Sequence, residues 1–271
     1  FLSRLPVSYD FWRSVGIFKH GKMDQAKYLI EVFEDHCNRA EVLEHLRGKH
    51  ILELGPGDSV GSAIVAASFG ASITLLDSGY FAKSNITFYR ELSRDLAKRG
   101  LSAPNLKDAS TIEDILKLCN AKYLTEGLDS FRFIASDSVD FVFSNAVLEH
   151  VRKKDFQATI DETFRVLAPC GKASHRIDFR DHLGGGLNNL RFSDKLWESN
   201  FFAKSGFYTN RLRWSEVFES FRVAGFEEIR SNLDKWDVLP IQFQRLHKTF
   251  LSVSSEDLLI RGANITLIAS K

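Results

Sequence analysis

A glycine-rich turn follows a run of apolar residues in the segment ILELGPGDSV, residues 51–60. Gly55 and Gly57 permit positive φ and let a ligand approach the backbone without an intervening Cβ. The turn leads into a predicted helix, whose free N–H groups favour a polar or anionic ligand. Asp77 ends the next apolar run, where an acid is placed to accept hydrogen bonds from ribose hydroxyls. Gly61 comes four residues after Gly57 rather than three, so a nucleoside is favoured over a pyrophosphate.

Two histidines follow two other apolar runs and are candidates for proton transfer. His150 follows SVDFVFSN, and His182 follows GKASHRIDF with Asp181 beside it. Histidine titrates near neutral pH, which suits a base that removes a proton from an alcohol. A turn at the glycines of residues 184–186 can bring Asp181 and His182 together. We predict His182 as the base, Asp181 as its partner and His150 as the reserve; a structural role at a helix start is the alternative for His150.

A metal site is a second interpretation of the segment that contains His175, Asp178, Asp181 and His182. On a strand, residues 175 and 178 point to opposite faces, so their convergence on one ion would need a bulge. We therefore predict no metal ion here.

The segment of residues 188–214 mixes aromatic, amide and guanidinium groups. Such groups suit a hydroxylated or anionic small molecule, with rings stacked on its faces. The predicted substrate-binding residues are Arg191, Trp197, Tyr208, Asn210, Arg211 and Arg213. The alternative is a helical cap over the cleft that makes no substrate contact.

The elements that position these residues follow from hydrophobic periodicity. Strands are predicted at residues 50–54, 72–76, 121–128, 138–145, 171–179, 226–233 and 263–270, with helices between most of them. This alternation predicts a Rossmann-like α/β fold: a seven-stranded, mostly parallel sheet with helices on both faces and an antiparallel edge strand. We predict one domain, divided into an N-terminal helical cap (1–47), a core (48–181), a substrate-side insertion (182–213) and C-terminal strands (214–271) with a helical insertion at 235–262.

Composition narrows the class of protein. The 271 residues include 36 Lys and Arg against 35 Asp and Glu, so no global positive field would attract nucleic acid. Cys37, Cys119 and Cys170 are odd in number and far apart, which predicts reduced thiols and a cytoplasmic protein. No apolar run approaches the ~20 residues that span a bilayer. The chain begins with Phe1, so it can be part of a longer polypeptide.

Four blocks occur in an order that resembles a known family. ELGPG, the aspartate of LLD, SVDFVFSNAVLEHV and RVLAPCGK together resemble the class I S-adenosylmethionine-dependent methyltransferases, in particular the type 11 small-molecule enzymes. The resemblance covers roughly residues 48–180 and, more loosely, AGFEEI near the C-terminus. It implies that S-adenosyl-L-methionine is the cofactor.

The resemblance also implies which residues contact the cofactor. The methionine part is expected near Glu53, Gly55, Pro56 and Gly57, and the ribose near Asp77 and Ser78. The adenine is expected at the backbone of Leu128 with Asp129 nearby, and the sulfonium near Ser144 and Asn145. The N-terminal stretch of residues 9–24 is expected to fold over the cofactor, with Lys19, His20 or Lys22 near its carboxylate. Residues 1–23 and 182–213 are expected to form the walls of the acceptor pocket.

The expected function is therefore methylation of a small molecule. An O-methyltransferase acting on a hydroxylated acceptor such as a sugar or glycan is the leading hypothesis, since two histidines are available as a base. An N-methyltransferase of a small amine, which needs no base, is the first alternative. A non-catalytic cofactor-binding module of a larger polypeptide is the second.

Overall fold

A computed structural model describes residues 25–271 of the chain. The wall predicted at residues 1–23 lies outside these residues, and so do Lys19, His20 and Lys22, which were predicted near the carboxylate of the cofactor. Among the residues described, no helix is long and apolar enough to cross a membrane.

The seven strands form a single sheet. They are β1 (His50–Leu54), β2 (Ser72–Leu76), β3 (Ala121–Leu124), β4 (Val139–Asn145), β5 (Leu167–Asp178), β6 (Phe226–Lys235) and β7 (Ile260–Ala269). Their order is β3-β2-β1-β4-β5-β7-β6, and β7 runs antiparallel to both of its neighbours. The predicted fold class is confirmed. The antiparallel strand lies one position inside the edge, because β6 occupies the edge itself.

Helices cover both faces of the sheet. They are α1 (Ala26–Arg39), α2 (Gly61–Ser68), α3 (Ile86–Lys98), α4 (Ile112–Leu118), α5 (Phe156–Val166), α6 (Asp194–Trp197), α7 (Asn200–Ala203), α8 (Trp214–Ala224) and α9 (Ser255–Leu258). Alternate strand residues serve the two faces, since side chains of a strand point up and down in turn. Ile51 and Phe141 pack in the cluster with α1 to α4, whereas Leu52 and Val142 pack in the cluster with α5 and α8. This two-sided core holds the carboxyl ends of β1 to β5 along one edge.

The C-terminal insertion, predicted to be helical at residues 235–262, contains only short helical elements. They are two 3₁₀ turns, Phe243–Arg245 and Lys248–Phe250, and the one-turn helix α9. The apolar residues Ile241 and Leu246 are five apart, which is too far for neighbours on one helix face. They pack with Leu187 and Leu190 of the insertion at 182–213, so the two additions share one small apolar cluster.

Candidate active site

The turn after β1 contains two glycines with different surroundings. Gly55 and Gly57 have φ values of 69° and 67°, a conformation that favours glycine. A Cβ on Gly55 would lie 2.5 Å from a methyl carbon of Val147, whereas a Cβ on Gly57 would meet nothing within 4 Å. Packing therefore requires Gly55 in the fold, and Gly57 leaves open space beside the turn.

Asp77 lies directly after β2 and ties this turn to the neighbouring strand. Its carboxylate accepts hydrogen bonds from the Gly57 N–H at 3.0 Å and from the Ser78 N–H at 2.7 Å. Burial raises the pKa of Asp77, and the hydrogen bonds from Gly57 and Ser78 oppose that rise. Asp77 is half-buried and Ser78 is exposed, so a carboxylate acceptor lies at the rim of the open space.

Glu53 is a buried acid with an unsatisfied oxygen. Its side chain is 2% exposed, and its Oε2 has no hydrogen-bond partner. Burial raises the pKa of Glu53 to about 8; a hydrogen bond with Ser62 lowers it in part, and the charge of Asp77 adds to the rise. A buried acceptor without a partner is costly, so this oxygen is suited to a donor from a ligand. Pro56, two residues beyond β1, is buried and shapes the turn.

The loop after β3 lies against the same region. The Gly127 N–H donates to the Asp77 carbonyl at 2.9 Å, which brings the next two residues beside the end of β2. Leu128 is half-buried and Asp129 is exposed. The structure thus places all of the residues predicted for the methionine, ribose and adenine parts along the carboxyl ends of β1, β2 and β3.

The end of β4 presents two neighbouring residues to opposite faces of the sheet. Ser144 is fully buried, and its hydroxyl pairs with His175 Nδ1 at 2.8 Å inside the core. The Asn145 amide instead donates to the Tyr28 hydroxyl at 3.4 Å. The Ser144 side chain is therefore committed to His175, which does not fit its predicted place at a sulfonium, while Asn145 stays at the cleft side.

The two predicted histidines lie together. The rings of His150 and His182 have centroids 5.0 Å apart, although 31 residues separate them in the chain. His150 Nδ1 lies 3.0 Å from the Tyr208 carbonyl, a contact that assigns the proton to Nδ1. Burial lowers the pKa of His182, and the carboxylates of Asp178 and Asp181 offset this only in part. A ring with a lowered pKa is neutral at pH 7 and can accept a proton.

Asp181 has a different role from the predicted one. Its carboxylate accepts hydrogen bonds from the N–H groups of Leu183 at 2.9 Å and Gly185 at 3.1 Å, and from both the backbone and the side chain of Asn188. It is 2% exposed. Both oxygens organise the loop that follows His182, so Asp181 positions the histidine through the loop and through charge.

Asp181→Ala should lower the free energy of unfolding by about 1–3 kcal/mol, because the loop amides of Leu183, Gly185 and Asn188 lose a buried, charged acceptor. Chemical denaturation measures this. Asp108→Ala, which removes an exposed carboxylate, is the control and should change stability little. Equal stability of the two variants would show that the loop does not depend on Asp181.

The arginines predicted to bind the substrate are mostly internal. The Arg213 side chain is 1% exposed and donates to the carbonyls of Phe179 and Ile260. Arg211 donates to the Phe192 carbonyl at 2.7 Å and pairs with Asp194. Both guanidinium groups hold chain segments together, which corrects their predicted contact with an acceptor. Arg191 alone of the three is exposed.

The remaining predicted substrate residues are also internal. Trp197 is fully buried and donates from Nε1 to the Thr209 carbonyl at 2.7 Å. The Tyr208 hydroxyl donates to Glu198 at 2.9 Å. The Asn210 amide donates to the carbonyls of Leu148 and Val151 at 2.8 and 3.0 Å, so it fixes the turn that carries His150. These residues support the insertion as a cap that positions the histidines.

The sequence interpretation missed Glu149, His36 and Arg176. Glu149 is 4% exposed, and burial raises its pKa to about 8. His36 is fully buried under the sheet. The alternation of side chains along β4 and the periodicity of α1 indicate which residues face the same side of the sheet. They do not indicate which residues of different strands become neighbours, because that depends on the register between strands. Within residues 25–271 no group of three or more His, Cys, Asp or Glu side chains is arranged to hold a metal ion.

Comparison with known proteins finds a family match over part of the chain. Residues 52–174 match a family model described as a methyltransferase domain. Similar solved structures include phosphoethanolamine N-methyltransferase 2 of Haemonchus contortus with S-adenosyl-L-methionine (15% identity, 89% of this chain and 53% of that chain, TM-score 0.51). A protein of Galdieria sulphuraria described as a sarcosine dimethylglycine methyltransferase is another (14% identity, 96% and 97% coverage, TM-score 0.51). A third is the cyclase SpnF (15% identity, 89% and 81% coverage, TM-score 0.50). At these identities the likeness shows the fold. No curated protein matches the chain.

Proposed function

We propose that this chain, whose residues 52–174 match a methyltransferase-domain family model, is a class I S-adenosylmethionine-dependent methyltransferase that transfers a methyl group to a hydroxyl of a small acceptor such as a sugar or glycan. The observation that carries the choice of a hydroxyl is the pair of His150 and His182 beside the carboxyl ends of β4 and β5. In open α/β sheets, ligands bind at this edge.

The residues at the β1 and β2 ends fit the cofactor. S-adenosylmethionine, when bound, supplies a methyl group already activated on a sulfonium. The unpartnered Oε2 of Glu53 is suited to accept from an amine, and Asp77 is suited to accept from ribose hydroxyls. Gly57 leaves room for the ligand where a side chain would stand. Asn145, half-buried at the carboxyl end of β4, is the residue that we assign to the sulfonium side.

The histidine pair supports removal of a proton from the acceptor. Burial lowers the pKa of His182, so the ring is uncharged at neutral pH and can accept a proton. Asp181 and Asn210 hold the two loops that carry the histidines. N-methylation of a small amine is the alternative, because an N-methyltransferase has a similar fold. A neutral amine acceptor would need only to be positioned, since no base has to remove a proton before transfer.

Incubation with labelled S-adenosylmethionine tests the proposal. The acceptor panel should pair each hydroxyl compound with its amine counterpart and include nucleotide sugars, oligosaccharides and aromatic alcohols. Label recovered in an alkali-stable ether of a hydroxyl compound is the expected result. Label recovered only in amines would replace the proposal with N-methylation, and cofactor binding without transfer to any acceptor would favour a non-catalytic module.

Asp77→Ala should weaken cofactor binding by about 1.5–3 kcal/mol, because the variant loses charge-assisted hydrogen bonds to the ribose. Titration calorimetry measures the affinity. Asp95→Ala, which removes an exposed acid from α3, is the control and should bind as the wild type does. An unchanged affinity in Asp77→Ala would remove this residue from the cofactor site.

A further inference from the structure

A row of polar residues crosses one face of the sheet beside the candidate active site. Asn145 of β4 pairs in register with Arg176 of β5, Arg176 pairs with Asn264 of β7, and Asn264 pairs with Asn232 of β6. Residues directly opposite one another on neighbouring strands share a face of the sheet. The row therefore begins at Asn145, at the carboxyl end of β4, and continues across β5, β7 and β6.

Arg39 approaches this row from α1. Its guanidinium donates to Asn264 Oδ1 at 2.8 Å and contacts His36 Nδ1 at 3.0 Å, while its buried Nε has no hydrogen-bond partner. His36 is fully buried and lies between Ser174 and Asn145. The cluster formed by Arg39, Arg176, Asn145 and Asn264 is thus rich in N–H donors.

The cluster is short of negative charge. Within residues 25–271, neither Arg39 nor Arg176 has an acid within 4.0 Å, whereas nearby Arg180 pairs with Asp178 at 2.7 Å and Arg261 with Asp234 at 2.8 Å. Burial lowers the pKa of Arg39, and the charge of Arg176 lowers it further against the opposing charge of Asp35. Two guanidinium groups that repel each other favour an anion between them.

The nearby acids do not supply that charge. The Asp178 carboxylate is engaged by Arg180 through hydrogen bonds of 2.7 to 3.2 Å. Burial raises the pKa of Glu149 to about 8, against a smaller lowering by the charge of Arg176, so this residue carries less negative charge at neutral pH than an exposed glutamate does. The cluster stays cationic beside the end of β4.

We propose that Arg176 and Arg39, with the amide of Asn264, bind an anionic group of the acceptor, a carboxylate or a phosphate. Guanidinium groups bind both oxyanions in a bidentate manner. An acceptor held there by its anionic group would present its hydroxyl toward the histidine pair, so the cluster selects acidic sugars or phosphorylated hydroxyl compounds. The assignment rests on the proposed function, because it concerns the acceptor of that reaction.

Binding of inorganic phosphate and of acetate to the protein saturated with S-adenosylhomocysteine tests this assignment. Ligand-detected NMR titration should show saturable binding of at least one anion to the wild type. Arg176→Gln should weaken anion binding by about 10-fold or more. Arg176→Lys should weaken anion binding less, because lysine keeps the positive charge and loses only the bidentate geometry of the guanidinium group. Arg222→Gln, which removes the same charge from an exposed pair with Glu219, should bind as the wild type does.

Three outcomes would overturn the assignment of an anion site to this cluster. Absence of saturable anion binding, or equal loss in Arg176→Gln and Arg222→Gln, would exclude a specific site. Anion binding that occurs in the free protein and disappears with S-adenosylhomocysteine would assign the cluster to the cofactor carboxylate. Failure of S-adenosylhomocysteine itself to bind is measured separately and would contradict the proposed function instead. Comparison of phosphate with acetate distinguishes the two classes of acceptor.

Discussion

Replacing His182 with alanine should lower turnover by about 10²–10⁴-fold while leaving the affinity for S-adenosylmethionine nearly unchanged. The hydroxyl of an acceptor must lose its proton as the methyl group arrives. His182 lies 5.0 Å from His150 between ring centroids, beside the strand ends where ligands bind, and is exposed to the cleft. His150, held by the Tyr208 carbonyl, is the reserve candidate, so His150→Ala should lower turnover less.

The pH dependence gives the same prediction an independent readout. A base acts in its neutral form, and burial lowers the pKa of His182 below its ordinary value of 6.5. Turnover of the wild type should therefore rise with pH through a midpoint below 6.5 and level off by neutral pH. His45→Ala, which removes an exposed histidine, is the control and should keep the wild-type profile. Full turnover in His182→Ala would transfer proton removal to His150 or indicate an amine acceptor.

Gly57→Val should abolish cofactor binding with only a modest loss of stability. The residue has a φ of 67°, which costs a non-glycine residue about 1–2 kcal/mol. A Cβ there meets nothing within 4 Å, so the branched side chain would fill the space that we assign to the ligand. Calorimetry with S-adenosylmethionine and chemical denaturation together separate the two effects.

Gly100→Val provides a matched control for Gly57→Val. Gly100 has a φ of 83° and also has nothing within 4 Å of a built Cβ, but it follows α3, away from the site. Both variants should lose similar stability, and only Gly57→Val should lose binding. If Gly57→Val binds the cofactor normally, or fails to fold when Gly100→Val folds, the space beside the turn is not the ligand site.

The sheet, and the edge at which the glycine turn and Asp77 meet, could be predicted because their signals are local. Apolar runs such as residues 138–145 bound the strands, and glycine and aspartate at their ends reflect backbone freedom and hydrogen bonding within a few residues. Gly57, Asp77 and the loop at Leu128 meet in the structure because strand ends of a parallel sheet share one edge.

The acceptor side could not be predicted in the same way, because residue type alone does not reveal burial. Arg213 and Trp197 have the chemistry of ligand contacts, yet both are at most 1% exposed and hold the insertion together. The relevance of Arg176 depends on register, since Asn145 and Asn264 become its neighbours only when β4, β5 and β7 pair. Asp181 was paired with His182 by adjacency, whereas the Gly185 turn directs its carboxylate to loop amides.

A structure of the complex with S-adenosylhomocysteine tests the central claim most directly. The account predicts ribose hydroxyls within hydrogen-bonding distance of the Asp77 carboxylate, an amine donor at Glu53 Oε2 and ligand atoms in the space beside Gly57. The homocysteine sulfur should lie near Asn145, on the side that faces His150 and His182. A ligand bound away from the ends of β1 and β2, or a saturated crystal with this edge of the sheet empty, would contradict it.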